Sequence, residues 1–527
     1  MNRATQLARL AAEPNAWDII VIGGGATGLG TALDAASRGY RTVLLEQSDF
    51  AKATSSRSTK LIHGGFRYLK QGNVSLVRES LHERGLLLRN APHLVHPLPF
   101  IVPAYQWWEK PYYGIGLTVY DKLAGSLGIG ATQWLGNDKV CEKLPGINPQ
   151  GLQGGVQYFD GQFDDARLAL AIAQTIPDCG GVALNYMRVV KLIKEKNRVA
   201  GVIAEDVEAG CVYELRAKIV INATGIFTDD IRRMDDTAVK PMLAVSQGIH
   251  LVLDASFLSA DTALMVPKTD DGRVLFAIPW HGSLLLGTTD TPRPQAELEP
   301  RPLEEEIAYL LDYGARYLTR KPTRADVRSV FTGLRPLVKA GDSSITSKLA
   351  RDHTILVSDS GLITITGGKW TTYRKMAEDT VNRAIEVAHL DPKPCRTREL
   401  RLHGSAPAKN HNEWSSVYGS FDLSVDKVAR ELPDGLERLH PRLPYRVGEV
   451  LWAAREEMAR TVEDVLSRRL RGLLLDAAAA MECAPRVATL MQKELGKDDA
   501  WAAEQIKEFE SVAKLYLAGQ FASDGDI

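Results

Sequence analysis

An α/β fold within a chain that is α+β overall is predicted by three observations. The first is an apolar strand, a glycine-rich turn and a helix near the start, at "DIIVIGGGATGLGTALDAASRG". The second is another strand, glycine turn and helix start far along the chain, at "LITITGGKWTTYRKMAED". The third is a change of character beyond about residue 400, where apolar residues fall at helical spacing.

The first element is the most specific. "DIIVI" is a short apolar run of the kind buried in a parallel sheet. Gly23, Gly25 and Gly28 then form GxGxxG. In that pattern the first glycine permits the tight turn, the second lets a pyrophosphate approach the backbone, and the third lets helix and strand pack closely. The helix through "TALDAASR" stops at Gly39, and "RTVLLE" is the next strand. It ends on Glu46, 18 residues past Gly28, where a carboxylate meets a free ribose diol. A Rossmann-like dinucleotide site follows, for NAD or for the adenosine half of FAD.

The next loop favours the flavin. In "SDFAKATSSRSTKLIHGGFRYLKQGN", Ser55, Ser56, Ser58, Thr59, Lys60 and His63 are packed among Gly64 and Gly65. Hydroxyls and backbone N–H groups of such a loop can wrap a pyrophosphate and a ribityl chain. Further on, "GGVALNYMRVVKLIKEKNRVAGVIAED" alternates like a β meander, with Val189 in "MRVV" placed beside adenine. The strand "IVINATG" ends in Asn222, Ala223, Thr224 and Gly225, small enough for another close approach to a dinucleotide.

The second glycine turn is not a P-loop. Walker A requires glycine six positions before the lysine and Ser or Thr after it; Ile363 and Trp370 stand there instead. A helix start carries unpaired N–H groups and partial positive charge, and Lys369 adds a full one. Reducing a flavin places negative charge around its N1 edge, which such a helix start would stabilise. The two turns thus clasp opposite ends of one FAD.

Composition narrows the partners. The chain has 527 residues, enough for two to four domains, with 45% hydrophobic and 24% charged residues. Its formal net charge is −1, so no global pull toward nucleic acid exists. The five cysteines lack metal-ligand spacing and read as buried free thiols; no metal site is expected. The N-terminus lacks a signal-peptide core, and no run of about 18 apolar residues spans a bilayer. Trp107, Trp108, Tyr112 and Tyr113 flank Lys110 ahead of an apolar run, a composition suited to a membrane headgroup interface.

Together these stretches resemble the FAD-dependent glycerol-3-phosphate dehydrogenases. "IGGGATGLGTALDAASRG" and "GGKWTTYRKMA" carry the likeness most specifically. "TSSRSTKLIHGGFRYL", "DDARL", "NATG", "IPWHGSLLLGTTD", "GLRPL" and "ARDHTI" follow in the family's order. The resemblance implies a FAD-binding domain of the glutathione-reductase/D-amino-acid-oxidase type from residues 17–95, 155–245 and 330–390. An antiparallel-sheet substrate or cap domain would comprise 96–154 and 246–329, with a C-terminal helical domain at 400–527. The implied reaction is oxidation of sn-glycerol 3-phosphate to dihydroxyacetone phosphate by hydride transfer to FAD, with electrons passed to a membrane quinone.

For this sequence the resemblance assigns cofactor contacts to Gly23, Gly25, Ala26, Thr27, Gly28, Glu46, Gln47, Thr54, Ser55, Ser56, Ser58, Lys60, Leu61, His63, Gly64 and Gly65. Val189, Ala223, Thr224, Gly225, Gly333, Gly368, Lys369 and Thr371 complete that set. Substrate contacts would fall on Arg67, Tyr68, His250, Arg335, Arg351 and Lys369. His250 would be the base, with Arg335 and Lys369 completing the catalytic group. Gln247 departs from relatives that carry a basic residue nearby. A peripheral position on the inner face of the cytoplasmic membrane is expected, with a homodimer possible. Absence of an EF-hand loop argues against calcium regulation. The alternatives are an oxidase passing electrons to oxygen and a non-catalytic binder of the same fold; the Lys369 and Arg335 constellation disfavours the second.

Overall fold

The computed structural model describes residues 1–527 except 14, 71, 260, 271, 340–352, 408–413 and 520–527, and omits the side chains of Arg67 and Lys70. Two sheets organise the body. The first has a parallel core, in the order Ile363–Gly367, Val212–Asn222, Trp17–Ile22, Thr42–Leu45, Val182–Leu184. His353–Val357 adds an antiparallel edge. The expected meander is present as Met187–Glu195, Arg198–Asp206 and Val212–Asn222. Trp17–Ile22 lies at the centre because it is apolar on both faces: Ile19, Ile20 and Val21 are fully buried. Each such side chain contributes about 1.5–3 kcal/mol by leaving water. The helices Ala26–Ser37, Asp165–Asp178 and Tyr373–Ala388 pack side by side against this sheet.

The second sheet has ten strands and is mostly antiparallel. Its long strand Leu243–Asp254 shows the period-2 logic of a two-faced strand. Ile249, Leu251 and Leu253 enter a separate apolar core with Ile307 and Leu310 of the helix Glu304–Tyr317. Ser246, Gly248 and His250 lie on the opposite face, and His250 and Gly248 face the cleft between the sheets. Gly155–Phe163 and Ser329–Val338 also pair within this sheet. The resemblance groups these segments with the FAD-binding domain; in the sheet they pair with Val95–Pro103 and Leu243–Asp254.

The C-terminal region is helical, with Asp422–Ala429, Glu449–Glu456, Ala477–Leu495 and Asp499–Lys514 as its main helices. Arginines fasten it to the body. Arg468 and Arg469 both donate to Asp49, and Arg471 donates to Asp165 and to the Ser56 carbonyl. All five cysteines are unpaired; Cys483 is buried as expected, but Cys211 is exposed at the turn between two meander strands. Among the described residues no helix is long and apolar enough to cross a membrane.

Candidate active site

The first glycine turn is fixed by contacts only glycine allows. Gly23 has φ 110°, and its N–H donates to the Leu45 carbonyl at 2.9 Å. A Cβ on Gly28 would fall 1.9 Å from the Gly23 oxygen, so the helix meets the strand at backbone distance. Glu46 sits beside this turn. Its Oε2 accepts the Gly24 N–H at 2.6 Å and its Oε1 accepts the Ser48 N–H at 2.8 Å. Burial pushes the carboxyl above its ordinary range. Both oxygens keep a lone pair for hydroxyl donors of a ribose.

The two glycine turns are tied to each other. Ser55 Oγ accepts the Ala26 N–H at 2.9 Å, at the start of the first helix. The Trp370 indole N–H donates to the Ser55 carbonyl at 2.8 Å, from the start of the second. The second start is a short 3₁₀ turn, Trp370–Thr372, leading into Tyr373–Ala388. Thr371 exchanges hydrogen bonds with the His63 backbone, accepting its N–H at 3.2 Å and donating to its carbonyl at 3.3 Å. Gly64 donates to Tyr120, whose hydroxyl rests on Asp160. Lys369 Nζ lies 4.0 Å over the Tyr68 ring, at the mouth of the second turn.

Between the turns runs a cleft of about 610 Å³. Its wall passes from Glu46, Gln47 and Val189, through Gly25, Thr27 and Ser55, to His63, Gly368 and Lys369. Gly225 opens onto it with nothing within 4 Å of a notional Cβ. A ribose acceptor at one end, a helix start flanked by hydroxyls in the middle and a cationic helix start at the other match the successive parts of FAD. The residues present fit that cofactor.

The wall facing the second turn comes from two antiparallel strands. His250 pairs with Phe331, Gly248 with Gly333, and Ser246 with Arg335. His250 is buried, stacked on Phe331 at 4.7 Å, with Nε2 3.0 Å from Thr59 Oγ1. Its Nδ1 has no hydrogen-bond partner among the described residues. Burial first, then Lys60 and Arg335, hold the imidazole well below its ordinary pKa, so it is neutral near pH 7. Arg335 is held by the Gln247 and Thr289 carbonyls, Thr288 Oγ1 and Asp290. A Cβ on Gly248 would lie 2.2 Å from Arg335 Nη2, so the guanidinium lies directly over that glycine.

A family model described as FAD dependent oxidoreductase matches residues 18–374, and one described as the C-terminal domain of alpha-glycerophosphate oxidase matches 361–502. The mitochondrial glycerol-3-phosphate dehydrogenases of Rattus norvegicus and Homo sapiens are each 41% identical, over 96% of this chain and 74% of theirs. The glycerol-3-phosphate dehydrogenase of Bacillus halodurans, solved in complex with FAD, superposes with a TM-score of 0.80 at 30% identity. That match covers 99% of both chains. The chain belongs to the FAD-dependent glycerol-3-phosphate dehydrogenases.

In this dehydrogenase, every residue expected at the cofactor lines the cleft except Gly28, Ser56, Lys60, Gly64 and Gly65. Gly28 serves helix packing, and Gly64 is bonded to Tyr120. Gly65 packs on Tyr68, and the buried Ser56 gives its carbonyl to Lys60 and Arg471. Lys60 is instead buried, paired with Asp165 at 2.7 Å and donating to the Ser56 carbonyl at 2.8 Å. Tyr68, His250 and Arg335 line the cleft together. Arg67 lies on the short helix Phe66–Lys70, its side chain outside the description, and Arg351 lies outside the described residues. Gln247 directs its side chain away from the cleft, donating to Glu306 Oε2 and to the Arg301 carbonyl, while its own carbonyl accepts from Arg335 Nη1.

Sequence reading missed Gly248, Thr59 as the partner of His250, and Arg57. Arg57 lines the cleft and donates to Glu299 Oε1 at 2.6 Å and to the Leu298 carbonyl at 2.9 Å. A glycine two residues before a strand histidine was the available signal for Gly248; the other two roles depend on partners far along the chain.

Proposed function

We propose that this dehydrogenase oxidises the C2 hydroxyl of sn-glycerol 3-phosphate to dihydroxyacetone phosphate and passes the electrons to a membrane quinone. The observation that carries the reading is a buried neutral imidazole beside a glycine notch with a guanidinium on its far side, all facing the cofactor cleft. FAD, when bound, supplies the acceptor for two electrons and the C2 hydrogen. Glu46, Ser55 and the two helix starts hold it, with Lys369 at the redox end. His250 takes the hydroxyl proton on its imidazole, whose Nε2 is held 3.0 Å from Thr59 Oγ1. Its depressed pKa keeps it free of a proton before substrate arrives, and the dianionic phosphate then offsets the positive field of Arg335 and favours the imidazolium. Arg335, anchored by its Nη groups, supplies positive charge toward the phosphate.

The quinone and the membrane surface are supported by one exposed face. On the helix Glu109–Leu123, Tyr112, Ile115 and Val119 are exposed, flanked by exposed Trp107, Trp108 and Trp134. Lys110 and Lys122 lie on the same helix. Aromatics with lysine suit the headgroup layer, and we place this face on the inner side of the cytoplasmic membrane.

Anaerobic titration of the holoenzyme with glycerol 3-phosphate tests the reading. Bleaching of the flavin band with stoichiometric dihydroxyacetone phosphate is expected; an unbleached flavin overturns it. The match of residues 361–502 to an oxidase's C-terminal domain favours a second reading, electron transfer to oxygen. Hydrogen peroxide formed in step with substrate oxidised would select it over the quinone.

A further inference from the structure

Lys60 is fully buried and takes no part in the cleft wall. Its ammonium donates to Asp165 Oδ2 at 2.7 Å and to the Ser56 carbonyl at 2.8 Å. It lies 5.0 Å from the centroid of the Phe331 ring and 5.2 Å from that of Trp280. Phe331 stacks on His250, with planes 10° from parallel. Phe331 therefore touches both the ammonium and the imidazole. The preceding residue, Thr59, is the hydrogen-bond partner of His250 Nε2. Asp165 is shared: Arg471 of the C-terminal region donates to its Oδ1 at 2.8 Å.

We infer that Lys60 is a positioning residue for the oxidation: its ammonium, anchored on Asp165, keeps His250 neutral and ready to accept a proton. The inference rests on the proposed role of His250 as base. Lys60, Asp165, Arg471 and Phe331 are almost completely removed from water, and His250 nearly so. Charges in such surroundings act over several ångströms with little screening. Asp165 is met by both Lys60 and Arg471, and Asp164 beside it by Arg471 at 3.5 Å and His281 at 3.1 Å. Of this group Lys60 is the cation that packs against Phe331, the ring stacked on His250, and its charge disfavours an imidazolium there.

The other groups around His250 do not supply the same control. Arg335, on the strand that carries Phe331, also disfavours the imidazolium, but it is held by Asp290 and lies where the substrate phosphate would neutralise it. Gly287, on the other neighbouring strand, packs against the imidazole and brings no charge. Lys369 lines the same cleft from the second turn. Lys60 is the cation that stays behind the wall through the reaction. Burial also lowers its own pKa to about 7, against the raising effect of Asp165, so its hold on His250 is strongest at and below neutral pH. That is the range in which an imidazole would otherwise take a proton.

The test is the pH dependence of flavin reduction by glycerol 3-phosphate in anaerobic holoenzyme, from about pH 5 to about pH 8, comparing wild type, Lys60→Met and Lys60→Arg. Ionisation of the substrate phosphate is common to all three and cancels. Lys60→Met is expected to move the acid limb of the second-order rate upward by about one pH unit, about a tenfold loss on that limb, and Lys60→Arg to restore it. The double variant Lys60→Met with Asp165→Asn removes cation and counter-ion together, avoids an orphaned carboxylate, and is expected to fall between Lys60→Met and wild type. Unshifted acid limbs in Lys60→Met and the double variant, whatever their flavin content or plateau rate, overturn the inference and leave a packing role. Normal flavin reduction in His250→Asn would instead remove the base on which the inference rests.

Discussion

Gly248 and Gly333 are directly opposed on neighbouring antiparallel strands, with His250–Phe331 on one side and Ser246–Arg335 on the other. Neither can carry a side chain without displacing something, but the two displacements differ. A Cβ at Gly248 meets the tip of Arg335 at 2.2 Å and Thr288 Oγ1 at 2.7 Å. A Cβ at Gly333 meets the Arg57 backbone oxygen at 2.7 Å. Gly248→Ala is therefore expected to swing the guanidinium aside, raising KM for glycerol 3-phosphate about tenfold or more with FAD content preserved. Gly333→Ala pushes the loop that holds Ser55 and is expected to lower FAD occupancy first, read from the flavin-to-protein absorbance ratio.

That notch marks the boundary of what the chain discloses by itself. The strand–turn–helix at Gly23 to Gly28 and its carboxylate Glu46 are local, set by steric needs within thirty residues, and legible directly. The turn at Gly367 and Gly368 is legible for the same reason. Gly333 reads as a cofactor glycine, but its opposition to Gly248 depends on strand register across more than eighty residues. Lys60 illustrates the opposite failure: its neighbours in sequence suggest a cofactor loop, while Asp165, over a hundred residues on, decides where its charge goes.

His250→Asn keeps a polar side chain of similar reach on the strand but cannot take a proton from an alcohol. Flavin reduction under anaerobic single-turnover conditions is expected to slow by about 10²–10⁴-fold, the usual worth of a positioned base. Product binding, followed by the perturbation of the flavin spectrum, is expected to change little, because the proposed phosphate contact is Arg335, four residues along the strand from Phe331. A near-normal reduction rate would assign the base elsewhere.

His93 predicts an acid limit to stability. It is buried beside Gly404 and Gly419, where the C-terminal region meets the body. Burial, then the Arg167 guanidinium, lower its pKa from 6.5 to about 4. The unfolded chain binds this proton below about 6.5 and the folded chain does not, so stability is full above that pH and declines as pH falls toward 4. The loss approaches about 3 kcal/mol for this group. His93→Gln is expected to flatten the fall of Tm between about pH 6.5 and about pH 4 relative to wild type. An unchanged slope would show that His93 is not the titrating group.

The exposed face near Trp107 makes a prediction independent of catalysis. Trp107 is 78% exposed and Trp108 46%, with Tyr112 and Ile115 continuing the face along the following helix. Replacing Trp107 and Trp108 together by Ser removes aromatic area suited to headgroups without disturbing the buried side of that helix, where Tyr120 supports Gly64. Flotation with vesicles containing anionic lipid is expected to recover much less of the variant. Reduction of FAD by substrate in detergent-free solution is expected to be unchanged. Equal flotation would move the membrane contact to another surface.

Asp49 carries the junction between body and C-terminal region in one carboxylate. It is fully buried and accepts from Arg468, Arg469 and Asn185. Burial alone would raise its pKa, but Arg469 and Arg468 outweigh that and hold the carboxyl below its ordinary range. Asp49→Asn preserves shape and removes the charge: Arg468 keeps Glu463 and Asp464, but the buried Arg469 loses the carboxylate it is paired with and retains the Glu457 carbonyl. Breaking a buried pair in this way costs about 3–5 kcal/mol, far more than the pair itself contributes against apolar neighbours. The variant is expected to unfold at markedly lower temperature near pH 7 and to yield C-terminal fragments in limited proteolysis before the FAD-binding body is cut. Since a depressed carboxylate stabilises only while ionised, the gap between variant and wild type should close as pH falls below the carboxylate range. A gap that persists there would mean that Asp49 acts through packing and its bond to Asn185, not through the two arginines.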